Sequence, residues 1–521
     1  MSDVQIITEP LGGSALSRLL QSGGGKEHWL AATPRDADEW RARAEARRAE
    51  AEWTPRWAAL APALDASGVA AERLARVQRE GGVVVTTGQQ PGLFGGPIYT
   101  WTKALGTIAF ADALELATGI PTAPVFWAAT DDADFAEASM TVLARTGGVE
   151  IARAREAPPA GTPMSRAPLG DLADALHRLR EASGSTADPR ALEAALAAYG
   201  DPDRTVGDAF VELLRGILAP LGMAVLDASH PAVLQASAPT LRAALRAAPQ
   251  VERALIARTA ELRAHGQEPQ VEDMAGLSLV FAREGEIKRR LPVAEAVAAS
   301  DGVYTPNVLL RPIVERAILP TVAYLAGPGE LAYFAQVTAV ADALGLDAPV
   351  ALPRWSATLL EPHVRELLSR YGVSAADVAA PDLLEGRIAR EAMSTGTAAA
   401  LETVRKSIAA LPEALAPEAA ELGIGGAVQG GTRALQHRVD RIERRVLAAI
   451  KRREAGRMRD VATLRAALYP GGVRQERALN LIPILARHGH ELLAEMGHAA
   501  GAHAASLVEP ARDTRAVGMH R

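Results

Sequence analysis

Residues Gly81 to Lys103, GGVVVTTGQQPGLFGGPIYTWTK, confine the fold more than any other stretch of this chain. Val83, Val84 and Val85 begin an apolar, β-branched run of the kind a strand buried on both faces requires. A turn holding Gly88, Gly92, Gly95 and Gly96 follows, then an apolar helix to about Ala117 and a second strand, APVFWAA, over Ala123 to Ala129. Strand, helix and strand in that order predict a parallel pair with the helix as right-handed crossover. An open α/β sheet holds its ligand in the loop leaving the carboxyl end of a strand, so this turn is the expected floor of an active site.

A chain of 521 residues exceeds the size at which one core stops growing, so more than one domain is expected. No run of about twenty apolar residues occurs, which excludes an ordinary membrane-spanning helix. The opening MSDVQIITEPLGGS lacks the basic flank and apolar centre of a secretory signal, so a cytoplasmic, soluble protein is expected. With no cysteine there can be no disulfide, thiolate metal site or cysteine nucleophile, and any thiol chemistry must belong to a substrate. The net charge of −6 provides no global field for nucleic acid.

Organisation follows from shifts in pattern. Residues 1–138 read as a helical preamble and the first half of a sheet core, 139–204 as a connecting insertion rich in Ala, Pro and Gly, and 205–276 as the second part of the core. A smaller insertion over 277–305 precedes the last part of the core at 306–362. Over 363–468 apolar residues recur three and four apart, at Leu401, Val404, Ile408 and Leu411 and again at Leu435, Val439, Ile442 and Val446, which predicts an antiparallel helical coiled coil. Its Arg438, Arg441, Arg444 and Arg445 alternate with Asp440 and Glu443, a salt-bridged face suited to a second subunit rather than nucleic acid. Residues 469–521 are expected to return to the core.

The glycine turn matches neither common phosphate cradle. No lysine follows its glycines until Lys103, and the G-x-G-x-x-G spacing is absent. What remains is a turn whose backbone amides and helix N-terminus could face negative charge, with Gln89 and Gln90 as neutral donors and acceptors. The second strand runs into Asp131, Asp132, Asp134 and Glu137, so topology sets this acidic turn beside the glycine turn, where close carboxylates serve acid/base work or hold magnesium. Helix capping by Asp131 or Asp132 is the structural alternative. His230 follows another strand, and Arg311 could clamp a carboxylate or phosphate unless Glu315, one helical turn on, occupies it.

The segments TGQQPGLFGGPIYTWTK, PVFWAATDDADFAE, DASHP, NVLLRPIVERAILPTVAYLAGPGELAYFAQ, LPRWSATLLE and RQERALN lie in collinear order over nearly the whole chain. Together they resemble the BshC family, the cysteine ligases of bacillithiol biosynthesis. The resemblance implies an α/β fold with a Rossmann-like parallel core related to nucleotidylyltransferases and class I aminoacyl-tRNA synthetases, connecting insertions, and a C-terminal coiled coil that supports homodimers. It implies a reaction too, the joining of L-cysteine to the amino group of glucosaminyl-malate.

On this resemblance Gln90, Asp132, Asp134 and Arg311 are the expected catalytic residues, with Gly88, Gln89, Tyr99, Lys103, His230, Asn307, Glu330 and Gln336 binding substrate. Family members can hold a nucleotide, ATP or ADP, at a second place near the coiled coil, and Tyr469, Gly471, Gly472 and Gln475 are its candidates here. No metal is indicated. The family commonly shows Glu-Asp-His-Asp-Phe where this chain has Asp131-Asp132-Ala133-Asp134-Phe135, so proton transfer would fall to a carboxylate, to His230 or to the substrate amine. Two other classes stay open on sequence: a nucleotidylyltransferase acting on another small sugar or acid, and a non-catalytic coiled-coil scaffold.

Overall fold

The computed structural model describes residues 3–49, 53–155, 157–272, 275–299 and 302–509. By its internal contacts the chain divides into two units. Residues up to Leu143, Glu150–Glu361 and the chain from Gln475 form the first, and Ala144–Val149 with Pro362–Arg474 the second.

The first unit is built on five parallel strands: β1 (Val83–Gln89), β2 (Thr122–Ala128), β3 (Ala224–Asp227), β4 (Thr321–Ala326) and β5 (Val350–Pro353). Their order across the sheet is β5-β4-β1-β2-β3. From β1 the chain steps one way to β2 and β3, then returns to the other side of β1 for β4 and β5. The order therefore reverses between β1 and β4, and a crevice opens at their carboxyl ends. This is the Rossmann-like core.

Helix α1 (Ile98–Thr118) makes the crossover from β1 to β2. It is buried on most of its surface, because the sheet covers one side and the last helix of the unit packs on it as well. Two further helices bear on the crevice, α2 (Arg311–Ile318) before β4 and α3 (Pro328–Leu344) after it. Successive side chains of β1 point to opposite faces. Val83 and Val85 join Phe110, Leu114 and Trp40 in one core cluster, and Val84 joins Trp57, Leu60, Leu74 and Trp127 in another. The N-terminal helices thus close both faces of the sheet, and Trp40 meets Phe110 edge to face at 5.5 Å.

The insertion after β2 contains two short strands, Met140–Arg145 and Gly148–Arg153, and the helices Ala173–Ser183 and Arg190–Tyr199. The smaller insertion is a three-stranded antiparallel sheet with Leu277–Glu284 at its centre, flanked by Ile287–Pro292 and Tyr304–Pro306. Pro292 ends its strand, since it has no N–H for the ladder, and opens the short helix Val293–Ala298.

In the second unit α4 (Thr395–Ala414) and α5 (Gly425–Arg453) run antiparallel. Arg405 of α4 meets Asp440 and Glu443 of α5, while the earlier Glu385 meets the later Lys451. Of the eight seam residues, only Ile408 and Val439 are buried, whereas Val404, Leu435 and Ile442 are exposed.

Phe110 is fully buried between the sheet and Trp40. Phe110→Ala is expected to lower stability by about 3–5 kcal/mol through lost burial and a residual cavity, read as a shift of the urea midpoint.

Candidate active site

A cavity of about 840 Å³ opens at the carboxyl ends of β1, β2 and β4. It is walled by the end of β1, the first turns of α1, the acidic turn after β2, the three-stranded sheet, and the starts of α2 and α3. Gly88, Gln89, Gln90, Tyr99, Lys103, Asp132, Asp134, Asn307, Arg311 and Glu330 all line it.

Its centre is a buried ion pair across the point where the strand order reverses. Lys103 Nζ lies 2.6 Å from Glu330 Oε2, and the two side chains are 5% and 16% exposed. The ammonium's other contacts are the Gly88 carbonyl at 2.8 Å and Gln89 Oε1 at 3.0 Å, so all three of its protons have acceptors. Glu330 accepts in turn from Tyr324 Oη and from the Gly327 N–H, both at 2.6 Å, the second closing the first turn of α3. Burial lowers the Lys103 pKa despite its partner. Burial acts to raise that of Glu330, but the Lys103 ammonium and the two hydrogen bonds outweigh it and hold the carboxyl below the ordinary glutamate value.

Gln89 passes this order outward. Its oxygen faces Lys103, so its amide nitrogen donates to Tyr99 Oη at 3.2 Å, and the Tyr99 hydroxyl donates to Glu137 Oε1 at 3.2 Å. Asn307 accepts the Leu309 and Leu310 N–H groups through Oδ1, which leaves its Nδ2 to the cavity. Arg311 is already engaged: it pairs with Glu315 at 2.7 Å, touches Tyr333 Oη at 3.5 Å and lies over the Tyr324 ring. Any anion it binds shares the guanidinium with Glu315.

In the acidic turn Asp132 Oδ1 accepts the Asp134 N–H at 2.7 Å, and Asp134 caps a single helical turn by accepting the Glu137 N–H at 3.1 Å. Both carboxylates therefore shape the turn as well as face the cavity. Asp131 lines it too, and burial, only partly offset by the Lys288 charge, raises its pKa. Ala133 is in the lining, so the position at which the resemblance implies a histidine borders the cavity with an apolar methyl group instead.

The glycine turn differs from the expected amide cradle. Gly95 and Gly96 donate their N–H groups back to Gly92 and Leu93, and Ile98 N–H donates to the Leu479 carbonyl at 2.8 Å. The N-terminus of α1 is thus partly closed by protein. Phe94, Gly95 and Gly96 have positive φ, and a Cβ on Gly92 would lie 2.7 Å from Gly96 Cα, so glycine here permits the turn to fold on itself. Asn480 fastens it: Nδ2 donates to the Phe94 carbonyl at 3.0 Å and the Gly96 carbonyl at 3.2 Å, while Oδ1 accepts the Ile482 N–H. Arg354, another lining residue, makes a bidentate pair with Glu476 at 2.8 and 2.9 Å, with both side chains almost fully buried.

The remaining sequence candidates lie outside the lining. His230 Nδ1 accepts the Ala232 N–H and caps the helix Pro231–Arg246. Gln336 is fully buried and holds both backbone groups of Val271, a lining residue, at 3.0 and 2.8 Å. Gln475 does the same for Leu359 at 2.8 and 2.9 Å. In the second unit Tyr469 ends the helix Ala455–Leu468, and Gly471 and Gly472 have open space around them. Sequence reasoning missed Arg354, Glu476, Asn480 and Lys288 as individual residues. The first three sit inside the LPRWSATLLE and RQERALN segments, the only signal that could have found them.

Glu330→Gln removes one partner of a buried pair and is expected to destabilise the protein by about 3–5 kcal/mol at neutral pH. Because the folded Glu330 pKa is lowered, the wild-type advantage is present above the unfolded glutamate value and is lost as pH falls through the folded one. Unfolding curves of both proteins from pH 7 downward should converge in acid.

The model of the bacillithiol biosynthesis BshC N-terminal Rossmann-like domain matches residues 32–296 and 292–355, and that of the BshC C-terminal coiled-coil domain matches residues 357–504. A protein of Solibacter usitatus named "Putative cysteine ligase BshC" is 32% identical over 87% of this chain and 89% of its own length. Proteins of the same name from Koribacter versatilis, 32% identical over 83% and 85%, and Salinibacter ruber, 29% identical over 80% of each chain, are also similar. Matches of this extent, over sheet core and helical hairpin alike, make the chain a member of the BshC family of bacillithiol biosynthesis.

Proposed function

We propose that this protein is a ligase that joins L-cysteine to the amino group of glucosaminyl-malate, forming a carbon–nitrogen amide bond. The observation that carries this reading is a crevice at the strand-order reversal, lined by charges of both signs. Lys288, Arg290 and Arg311 suit a malate head with two free carboxylates, and Asp131, Asp132 and Asp134 suit an amine that must lose a proton. A chain without cysteine also has no thiol of its own to compete in the reaction.

In this reading the amine nitrogen attacks the carboxyl carbon of a cysteine activated by a nucleoside triphosphate as an acyl phosphate or acyl adenylate, so that phosphate or a nucleoside monophosphate is the leaving group. The C–N bond forms, the bond to the leaving group breaks with its electron pair, and the amine proton passes to a carboxylate of the acidic turn. Asp131, whose pKa is raised, stands beside Asp132 and Asp134 as acceptor. Asn307 Nδ2, Gln90 and Arg311 orient the polar groups, and their contribution is positional.

The protein acts in the cytoplasm as a homodimer joined through α4 and α5. The exposed Val404, Leu435 and Ile442 support this, since apolar residues at coiled-coil spacing gain by covering one another. Leu435→Glu with Ile442→Glu is expected to convert the dimer to monomer in sedimentation velocity, without loss of helicity.

Deleting the encoding gene should abolish bacillithiol and accumulate glucosaminyl-malate, with the wild-type gene restoring both. Normal thiol levels in the deletion strain would overturn the assignment. Asp131→Asn and Asp132→Asn, assayed for amide formation by the purified proteins, are expected to lower turnover by about 10²–10⁴-fold for whichever carboxylate takes the proton. A fall of less than about threefold in both would remove the acidic turn from the chemistry.

A further inference from the structure

A second cavity of about 320 Å³ lies behind the wall of the first. The two share Gln89, Gln90, Tyr99 and Arg477, so these four residues form the junction between them. The larger one has the volume of a site for a drug-sized ligand, and the smaller lies at the lower end of the range of ligand pockets.

The small chamber has a distinct composition. Glu137 is its carboxylate and Arg477 its cation, and Arg477 makes no hydrogen bond or ion pair with the described residues. Thr100 lines it, is 1% exposed, and its hydroxyl has no hydrogen-bond partner. A buried hydroxyl left without a partner is costly, so its place beside a cavity points to a ligand that supplies the missing bond. Met140, Val142, Pro91 and Pro97 give the rest of the wall an apolar character.

One anion, one cation within electrostatic reach of it but not paired with it, one unpaired hydroxyl and a short apolar wall match the groups of a small α-amino acid: ammonium, carboxylate and a compact, weakly polar side chain. The Tyr99 hydroxyl is directed at Glu137 by Gln89, which keeps that carboxylate an acceptor facing the chamber. We infer that the small chamber is the amino-acid subsite, with Glu137 on the ammonium, Arg477 on the carboxylate at the junction, and Thr100 beside the side chain. The carboxyl carbon would then sit where the two cavities meet, open to an amine held in the larger one.

This inference rests on the ligase reading, and one set of titrations separates the two. Binding of L-cysteine, under reducing conditions, and of glucosaminyl-malate to the full chain would be measured by calorimetry for wild type, Thr100→Val, Glu137→Gln and Val142→Phe. The expected result is a Kd for cysteine raised about tenfold by Thr100→Val and about 10–100-fold by Glu137→Gln, loss of cysteine binding in Val142→Phe, and glucosaminyl-malate binding within about twofold of wild type throughout. Thr100→Val is nearly isosteric, and unchanged circular dichroism and urea midpoints would certify the folds. Unchanged cysteine affinity in all three folded variants would overturn the subsite while leaving the ligase standing. Wild-type protein that binds neither compound would overturn both.

Discussion

A buried ammonium must find three acceptors, and in this protein that requirement ties the structure together at the point where the strand order reverses. Lys103 takes them from the last carbonyl turn of β1, from Gln89 and from the cap of α3. The crevice between β1 and β4 would otherwise be the place where two halves of the sheet diverge. Glu330 serves as helix cap, as partner of Tyr324 and as counter-charge at once, so a single carboxylate sets the start of α3 relative to α1. Orientation then propagates through hydrogen-bond polarity: the Gln89 amide cannot flip without facing its nitrogen to an ammonium, and Tyr99 follows from Gln89.

A second buried pair holds the other wall. Arg354 at the end of β5 is clamped by Glu476, which also accepts from Ser356, while Arg354 bonds Thr102 of α1. Charges this deep are retained only with nearly ideal geometry, since isolated they would cost several kcal/mol each. The site is therefore framed by rigid, internally neutralised pairs, with Gln90, Asn307, Arg477 and the acidic turn facing the open space.

Much of the core was legible because buried parallel strands leave continuous, largely apolar runs. Val83–Val85, Ala123–Ala129 and Thr321–Leu325 carried that mark, and the strand and helix order around β1 followed from it. Long-range ion pairs leave no such mark. Glu476 stands 122 residues from Arg354, and nothing local distinguishes it from a solvated glutamate. The glycine turn was read as an amide cradle because glycine density is ambiguous between ligand approach and self-packing, and only the partners of Gly95, Gly96 and Ile98 decide. Likewise, heptad spacing marks a seam without saying what covers it, which is why Val404, Leu435 and Ile442 are exposed in the single chain. Among the acidic residues, proximity in sequence could not separate Asp131, displaced by burial, from Asp132 and Asp134, which brace the turn.

Asn480 gives the fold a direction in time. The loop it secures lies in the first fifth of the chain, yet its Phe94 and Gly96 carbonyls wait for a side chain made after the whole helical hairpin. Synthesis proceeds at about 5–20 residues per second, so the sheet's first strands are out of the ribosome many seconds before their floor is complete. A nascent chain can pair its strands and bury Val83 to Val85, but it carries an unfastened crevice until Glu476 and Asn480 emerge and dock together. The floor of the crevice is in this sense a late product of translation, and a chain ending before Asn480 leaves the Phe94 and Gly96 carbonyls without that side chain.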